Sequence, residues 1–338
     1  MRNCDRVRAT LAFERVDRLP CTEWAPWWDQ TIYRWREEGL PARFPVGREG
    51  MVAIQEWLGL DLMYQINIRS TADSYPQVPH GQGLVSDVAS YEALRDHLYP
   101  EIDWETMIPD WVRRRHAKGE LAVWLTVEGF FWWPRRLFGI ERHFYAFYDQ
   151  PELMKRINED QVAFIKRVFC QATDILVPEF MTFAEDMSYN HGPMLSEETF
   201  NEFEAPYFRE VVPLIKSRGV IPIVDSDGNI ESCVPWFLAC GLEGILPLER
   251  QSGVDVARLR RNHPTLRLVG GFDKMTMNRG TEAMRAEWER LLPVMRQGGF
   301  IPGCDHQTPP GVSLAQYRDY MSLMFEYAER GAEGEARR

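Results

Sequence analysis

Short apolar runs alternate along the chain with longer segments whose apolar residues recur every three or four positions, the pattern of strands feeding helices. A basic amphipathic helix opens the chain, and Leu19–Trp24 follows as a short strand. Glu49–Leu58 reads as a helix and Asp61–Asn67 as a strand. Tyr75–Asp87 contains Pro76, Pro79, Gly81 and Gly83 and reads as a hairpin or loop excursion. A helix over Thr106–Lys118 leads to the strand Leu121–Val127. Helices over Phe144–Tyr148 and Pro151–Gln171 precede the strand Ile175–Phe183, and Pro151 suits a first helical turn. Ser196 is a predicted N-cap for a long helix to Ser217, which Gly219 stops. The strands Val220–Val224, Gly244–Leu248, Leu266–Phe272 and Phe300–Pro302 then alternate with helices Glu231–Cys240, Asp255–Asn262 and Thr281–Met295. Thr281 is the predicted N-cap of the last of these, and Ser313–Glu329 is the closing helix.

Repeated strand–helix units imply right-handed crossovers and a parallel sheet. A count of about eight strands predicts an α/β fold, a closed (β/α)8 TIM barrel with its site at the C-terminal ends of the strands. One domain is expected over residues 1–330. The tail, residues 331–338, is small and charged and is expected to fray. A doubly wound open sheet is the alternative; the lack of a GxGxxG after an early strand weakens it.

Six apolar runs end on acids: Glu128, Glu185–Asp186, Asp225–Ser226–Asp227, Glu249, Asp273 and Asp305. One carboxylate at a strand end is ordinary and often caps the next helix. Six in succession point to a single mouth lined with acid. Composition narrows what enters it. The net charge of −11 argues against nucleic acid and anionic membranes as partners. No apolar run reaches about 18 residues, so no spanning helix is expected. The stretch from Met1 to Arg6 lacks the apolar core of a signal peptide, and a cytoplasmic location is the expectation. Six cysteines without a CxxC pair read as reduced thiols. Among twelve tryptophans, Trp24, Trp27, Trp28 and Trp132–Trp133 cluster, as core or as pocket wall.

Two motifs carry the chemistry. In Asp225-Ser226-Asp227-Gly228-Asn229, Gly228 and Asn229 let the chain turn sharply, leaving two carboxylates at the mouth. They serve either as caps or as metal or substrate ligands. Pro302-Gly303-Cys304-Asp305-His306 brings a thiol, a carboxylate and an imidazole within three residues, all of them zinc ligand types. Glu185, Asp186 and His306 are the expected acid–base groups, since crowded carboxylates raise one another's pKa. Asp225, Asp227, Glu249 and Cys304 are the expected metal ligands. Trp24, Glu128, Trp132, Trp133 and Lys274 are the expected substrate contacts. Gly129–Arg136 reads as an aromatic lid, and Lys274 as an ion-pair partner of Asp273 or an anion contact.

These segments resemble the uroporphyrinogen decarboxylase superfamily, which includes zinc-dependent corrinoid methyltransferases. The matching pieces are Asp17-Arg18-Leu19-Pro20, Gly192–Ser196, Asp225–Asn229, Pro247-Leu248-Glu249 with Gly253-Val254-Asp255, Gly270–Lys274 and Gly298–Pro302, so the likeness spans essentially the whole chain. The resemblance implies a (β/α)8 barrel. The decarboxylases' arginine-rich signature is replaced here by Cys21–Trp28, which has no arginine. Their catalytic aspartate falls near Ile68, where this chain has Asn67-Ile68-Arg69; only His306 matches a decarboxylase site residue. The methyltransferases' His-x-Cys pair is replaced by Asp225 and Asp227, while Cys304 matches their later cysteine.

The resemblance therefore implies metal-assisted methyl transfer between a small methoxy or methylamine substrate and a corrinoid or related acceptor. Zinc, another divalent cation, or no metal at all stay open, and a corrinoid would enter only through a partner protein. A decarboxylase of a small or porphyrin-type acid is the alternative, and a non-catalytic partner of a methyl-transfer system is a third reading. Substrate identity and oligomeric state, a homodimer included, stay open.

Overall fold

Burial explains which apolar runs become strands. The computed structural model describes residues 1–333. Among them, β1 (Leu62–Ile68), β2 (Leu121–Glu128) and β3 (Phe180–Ala184) are followed by a short hairpin of β4 (Ser188–Tyr189) and β5 (Gly192–Pro193). Then come β6 (Ile221–Asp225), β7 (Gly244–Leu246), β8 (Arg267–Phe272) and β9 (Phe300–Cys304). β2 is buried at every position, as befits a strand covered on both faces by helices and neighbouring strands. Seven strands form one curled parallel sheet in the order β1-β2-β3-β6-β7-β8-β9. Register is continuous across it; Glu128 of β2 pairs with Ala184 of β3, and Ala184 with Asp225 of β6. The strand ends therefore lie level at one rim, and the loops beyond them share one mouth.

Leu19–Trp24 is not a strand; it runs extended in the gap between the ends of the sheet. The Asp61 amide beside β1 donates to the Cys21 carbonyl at 2.8 Å. On the other side the bonds run through side chains. The Cys304 amide donates to Glu23 Oε2 at 3.1 Å, and Trp24 Nε1 donates to the Cys304 carbonyl at 2.8 Å. A backbone ladder to β9 never forms, because the Glu23 carboxylate takes the amide that such a ladder would use.

Prolines account for two further differences from the sequence expectations. The segment expected as one helix to Ser217 is two, Glu197–Phe203 and Ala205–Ser217, broken at Glu204 just before Pro206. Thr106–Lys118 likewise splits around Pro109 into Trp104–Met107 and Asp110–Ala117. Ser196 does cap its helix, accepting from the Thr199 amide at 3.1 Å. Thr281 does not; it is the first residue of its helix, and Gly280 is the cap. The closing helix runs Leu314–Ala332, so Gly331 is part of a packed helix, buried against Leu19 and Met295, rather than of a frayed tail. Residues 334–338 of that expected tail lie outside the described residues. Among the described residues no helix is long and apolar enough to cross a membrane.

Candidate functional site

A cavity of about 580 Å³ opens at the rim where the strands end. Of the residues singled out in the sequence, Trp24, Glu128, Trp132, Asp186, Asp225, Asp227 and His306 line it.

The turn after β6 sets the acidic side. Gly228 has φ +83°, and a Cβ there would sit 2.8 Å from the backbone of Ser188 in β4. Only a glycine lets the turn press against that hairpin. Its amide donates to Glu249 Oε2 at 3.0 Å, tying the β6 turn to the end of β7. One result is a cluster in which ligand atoms of Asp227, Glu249 and His306 all lie within 4.8 Å of one another. His306 Nε2 is 3.6 Å from Asp227 Oδ2, and the imidazole meets Trp24 edge to face at 6.2 Å. Burial pushes the His306 pKa down, but the Asp227 carboxylate outweighs it and the net shift is upward.

Asp186 lies alongside. Its backbone holds φ +40°, an uncommon conformation for a residue with a side chain. Its Oδ1 accepts from the Asp227 amide at 3.2 Å. Burial and then the Asp227 charge raise its pKa to about 6. Asp225 is raised well above the carboxylate range, by burial and then by Asp186 and Asp227. It sits on the cavity wall but does not join the three clustered donors.

Other expected site residues turn away from the cavity. The Cys304 thiol is buried beside Glu23 and Asp305, with its pKa pushed well up by burial and then by Glu23. It stands apart from the Asp227–Glu249–His306 cluster. Glu185 is fully buried and accepts the amides of Phe130 and Phe131, each at 2.7 Å, and of Trp132 at 3.3 Å. Burial raises its pKa against the pull of those three bonds. It holds the turn into the helix Trp132–Phe138 rather than facing substrate. Gly129 makes room for it; a Cβ there would lie 1.9 Å from Glu185 Oε1. Gly129→Ala is expected to cost about 1–3 kcal/mol in chemical denaturation, because the overlap forces the carboxylate off its amides.

Trp133 is core, not lid; it is fully buried and its indole donates to Tyr99 Oη at 3.0 Å. Lys274 pairs with Asp305 at 3.3 Å and sits 3.9 Å from Glu249, so its partner is not Asp273. Asp305 and Asp273 bond backbone amides, of Arg250 and Lys274 for the first and of Met275 for the second. Three acids of the expected ring are therefore structural. A fourth, Glu128, does face the cavity but is ion-paired to Arg136 and accepts from the Ser70 amide at 2.8 Å.

The residues missed from the sequence are basic. Arg48, at the start of the helix Arg48–Leu58, and Arg69, just past β1, line the same cavity with Gln65, Asn67 and Arg136. The mouth is therefore mixed in charge, not a ring of acid. Arg69 could have been found as a residue at a strand end; Arg48 opens a helix and carries no such signal.

Glu204 fills the helix break. Neither of its oxygens has a hydrogen-bond partner among the described residues, and burial followed by the nearby Glu185 raises its pKa well above the usual range. A folded-state pKa above the unfolded one contributes stability at low pH that is lost as pH rises through the folded value. Thermal melts are expected to fall from pH 6 to pH 9 more steeply for the wild type than for Glu204→Gln.

The uroporphyrinogen decarboxylase (URO-D) family model matches residues 114–327, more than half of the chain. No curated protein matches it. Among solved structures, a methyltransferase from Methanosarcina mazei superposes with a TM-score of 0.63 at 15% identity, over 97% of this chain and 99% of that one. A B12-independent methionine synthase from a Shewanella species reaches 0.45 at 10% identity, over 85% of this chain and 87% of that one. At such identities the first likeness speaks to the fold alone.

Proposed function

The chain belongs to the uroporphyrinogen decarboxylase family, and from that premise we propose an enzyme that uses a divalent cation to move a methyl group from a small methylated substrate. The carrying observation is the cluster of Asp227, Glu249 and His306, whose ligand atoms converge within 4.8 Å at the cavity. Two carboxylates and an imidazole fit zinc or a similar borderline-to-hard divalent ion with an open position for substrate. Cys304 is left out of that set. Bound there, the cation would supply Lewis acidity that polarises a methoxy or hydroxyl oxygen.

The protein's own groups divide the remaining work. Trp24 and Trp132 wall the cavity and would hold an aromatic substrate edge. Asp186 lies beside Asp227 with its carboxyl tied to that residue's amide, and would give a proton to the oxygen that loses the methyl group. In this proposal a corrinoid protein accepts the methyl group, and Leu19–Trp24 closes the sheet as the eighth stave of a barrel. Asp186→Asn is expected to lower turnover roughly 100-fold or more with metal content unchanged. Transfer from methoxylated aromatics to reduced cobalamin, measured with and without chelator, tests the reaction itself. A decarboxylase is the second reading, favoured by the basic side of the cavity. Carbon dioxide release without methyl transfer would establish it.

Metal affinity carries a pH signature. His306 binds a cation only when deprotonated, and its pKa is raised. Uptake is expected to weaken about tenfold per pH unit below that raised value, measured by competition with a chromogenic chelator.

A further inference from the structure

The basic side of the cavity is the feature that the methyl-transfer reading leaves unused. Arg48 and Arg69 are close enough that Arg69's charge, after burial, lowers the pKa of Arg48. Two like charges brought together in a protein of net charge −11 call for a compensating anion. Of the acids nearby, Glu128 is engaged by Arg136 and the Ser70 amide and Asp186 by the Asp227 amide; Asp225 feels the charge of Arg48 but forms no ion pair with it among the described residues. Arg69 has no ion-pair or hydrogen-bond partner among the described residues.

Arg48 is held in place. Its Nε donates to Gln65 Oε1 at 2.5 Å, Gln65 Nε2 donates to Thr126 Oγ1 at 2.8 Å, and Thr126 bonds the Thr182 hydroxyl at 2.7 Å. This polar rail crosses β1, β2 and β3 inside the sheet and fixes Gln65, which in turn orients the guanidinium. Both arginines rise from the β1 side, whereas Asp227 and Glu249 follow β6 and β7, with β2 and β3 between them in the sheet. The two arginines and the donor cluster thus enter one cavity from different strands, with Asp225 at the end of β6 within reach of the Arg48 charge.

We propose that Arg48 and Arg69 form an anion subsite that grips a carboxylate of the substrate, leaving its methylated end toward Asp227, Glu249 and His306. Guanidinium forks match the two oxygens of a planar carboxylate. The subsite narrows the substrate class to a methoxylated aromatic acid and disfavours a methylamine, whose cation the arginine pair repels. It deepens the methyl-transfer reading and rests on that reading only for what happens to the bound molecule.

The test is binding, not turnover. 4-Methoxybenzoate and its neutral analogue 4-methoxybenzyl alcohol are titrated into the full chain by calorimetry and tryptophan fluorescence, at low and high salt. The expected result is at least tenfold tighter binding of the acid, weakened by salt. Arg69→Gln and Arg48→Gln should each erase most of that preference without changing the affinity for the alcohol, and melting curves verify that both variants fold. The preference should persist in Asp227→Ala, so loss of methyl transfer there leaves the subsite standing. Equal or weaker binding of the acid, unchanged affinity in both arginine variants, or no binding of the acid would each overturn the proposal. Such a result leaves the metal cluster and its chemistry untouched.

Discussion

Glu185→Ala is expected to destabilise the fold by about 3–6 kcal/mol, read as a lower urea midpoint with the slope unchanged. The reason is local. The Glu185 carboxyl satisfies the amides of Phe130, Phe131 and Trp132 from a fully buried position. Truncation strands three donors where water does not reach, each worth about 1–3 kcal/mol, and partial relaxation of the turn trims the sum. Trp132 lines the cavity from the helix that this turn begins, so substrate affinity should fall with stability. Were Glu185 instead the acid–base group expected from the sequence, its loss would abolish turnover and leave the urea midpoint near that of the wild type.

Asp227→Ala is expected to reduce metal affinity at least 100-fold and to remove metal-dependent turnover. Asp227 is the member of the cluster in ion contact with His306, at 3.6 Å, and its backbone carries the turn whose next amide bonds Glu249. Removing the carboxylate leaves two donors, too few for a catalytic site of three protein ligands. It also removes the charge that raises the His306 pKa, so the imidazole should titrate at lower pH. Cys304→Ala supplies the contrast. Its thiol faces Glu23 behind the strand end, and its loss should leave metal content unchanged.

Much of this fold is legible in the apolar runs. Seven of the expected strands form, most within a few residues of their expected bounds, because a strand buried on both faces must be apolar throughout. Leu19–Trp24 has the composition of a strand, yet strand pairing depends on what its neighbours offer. Here Glu23 intercepts the Cys304 amide. The long helix to Ser217 breaks at Glu204, two residues before Pro206, a local signal that an apolar period alone hides. Within the site, the positions of Asp186, Asp225, Asp227 and His306 follow from their strand ends. Which carboxylates face the cavity does not. Glu185 and Asp186 are adjacent, and one holds backbone amides while the other faces the cavity; successive side chains leaving a strand point to opposite sides, and the acid-rich pattern does not say which side is which. Arg48 comes from a helix start, and no periodicity places a helix start over a mouth built by strands.

Metal analysis of the purified full chain, with Asp227→Ala and Glu249→Ala beside it, addresses the central claim most directly. The expected result is close to one divalent ion per chain after dialysis against zinc, and almost none in either variant. An equal metal content in all three proteins, or none in the wild type, would contradict a cation site built from Asp227, Glu249 and His306.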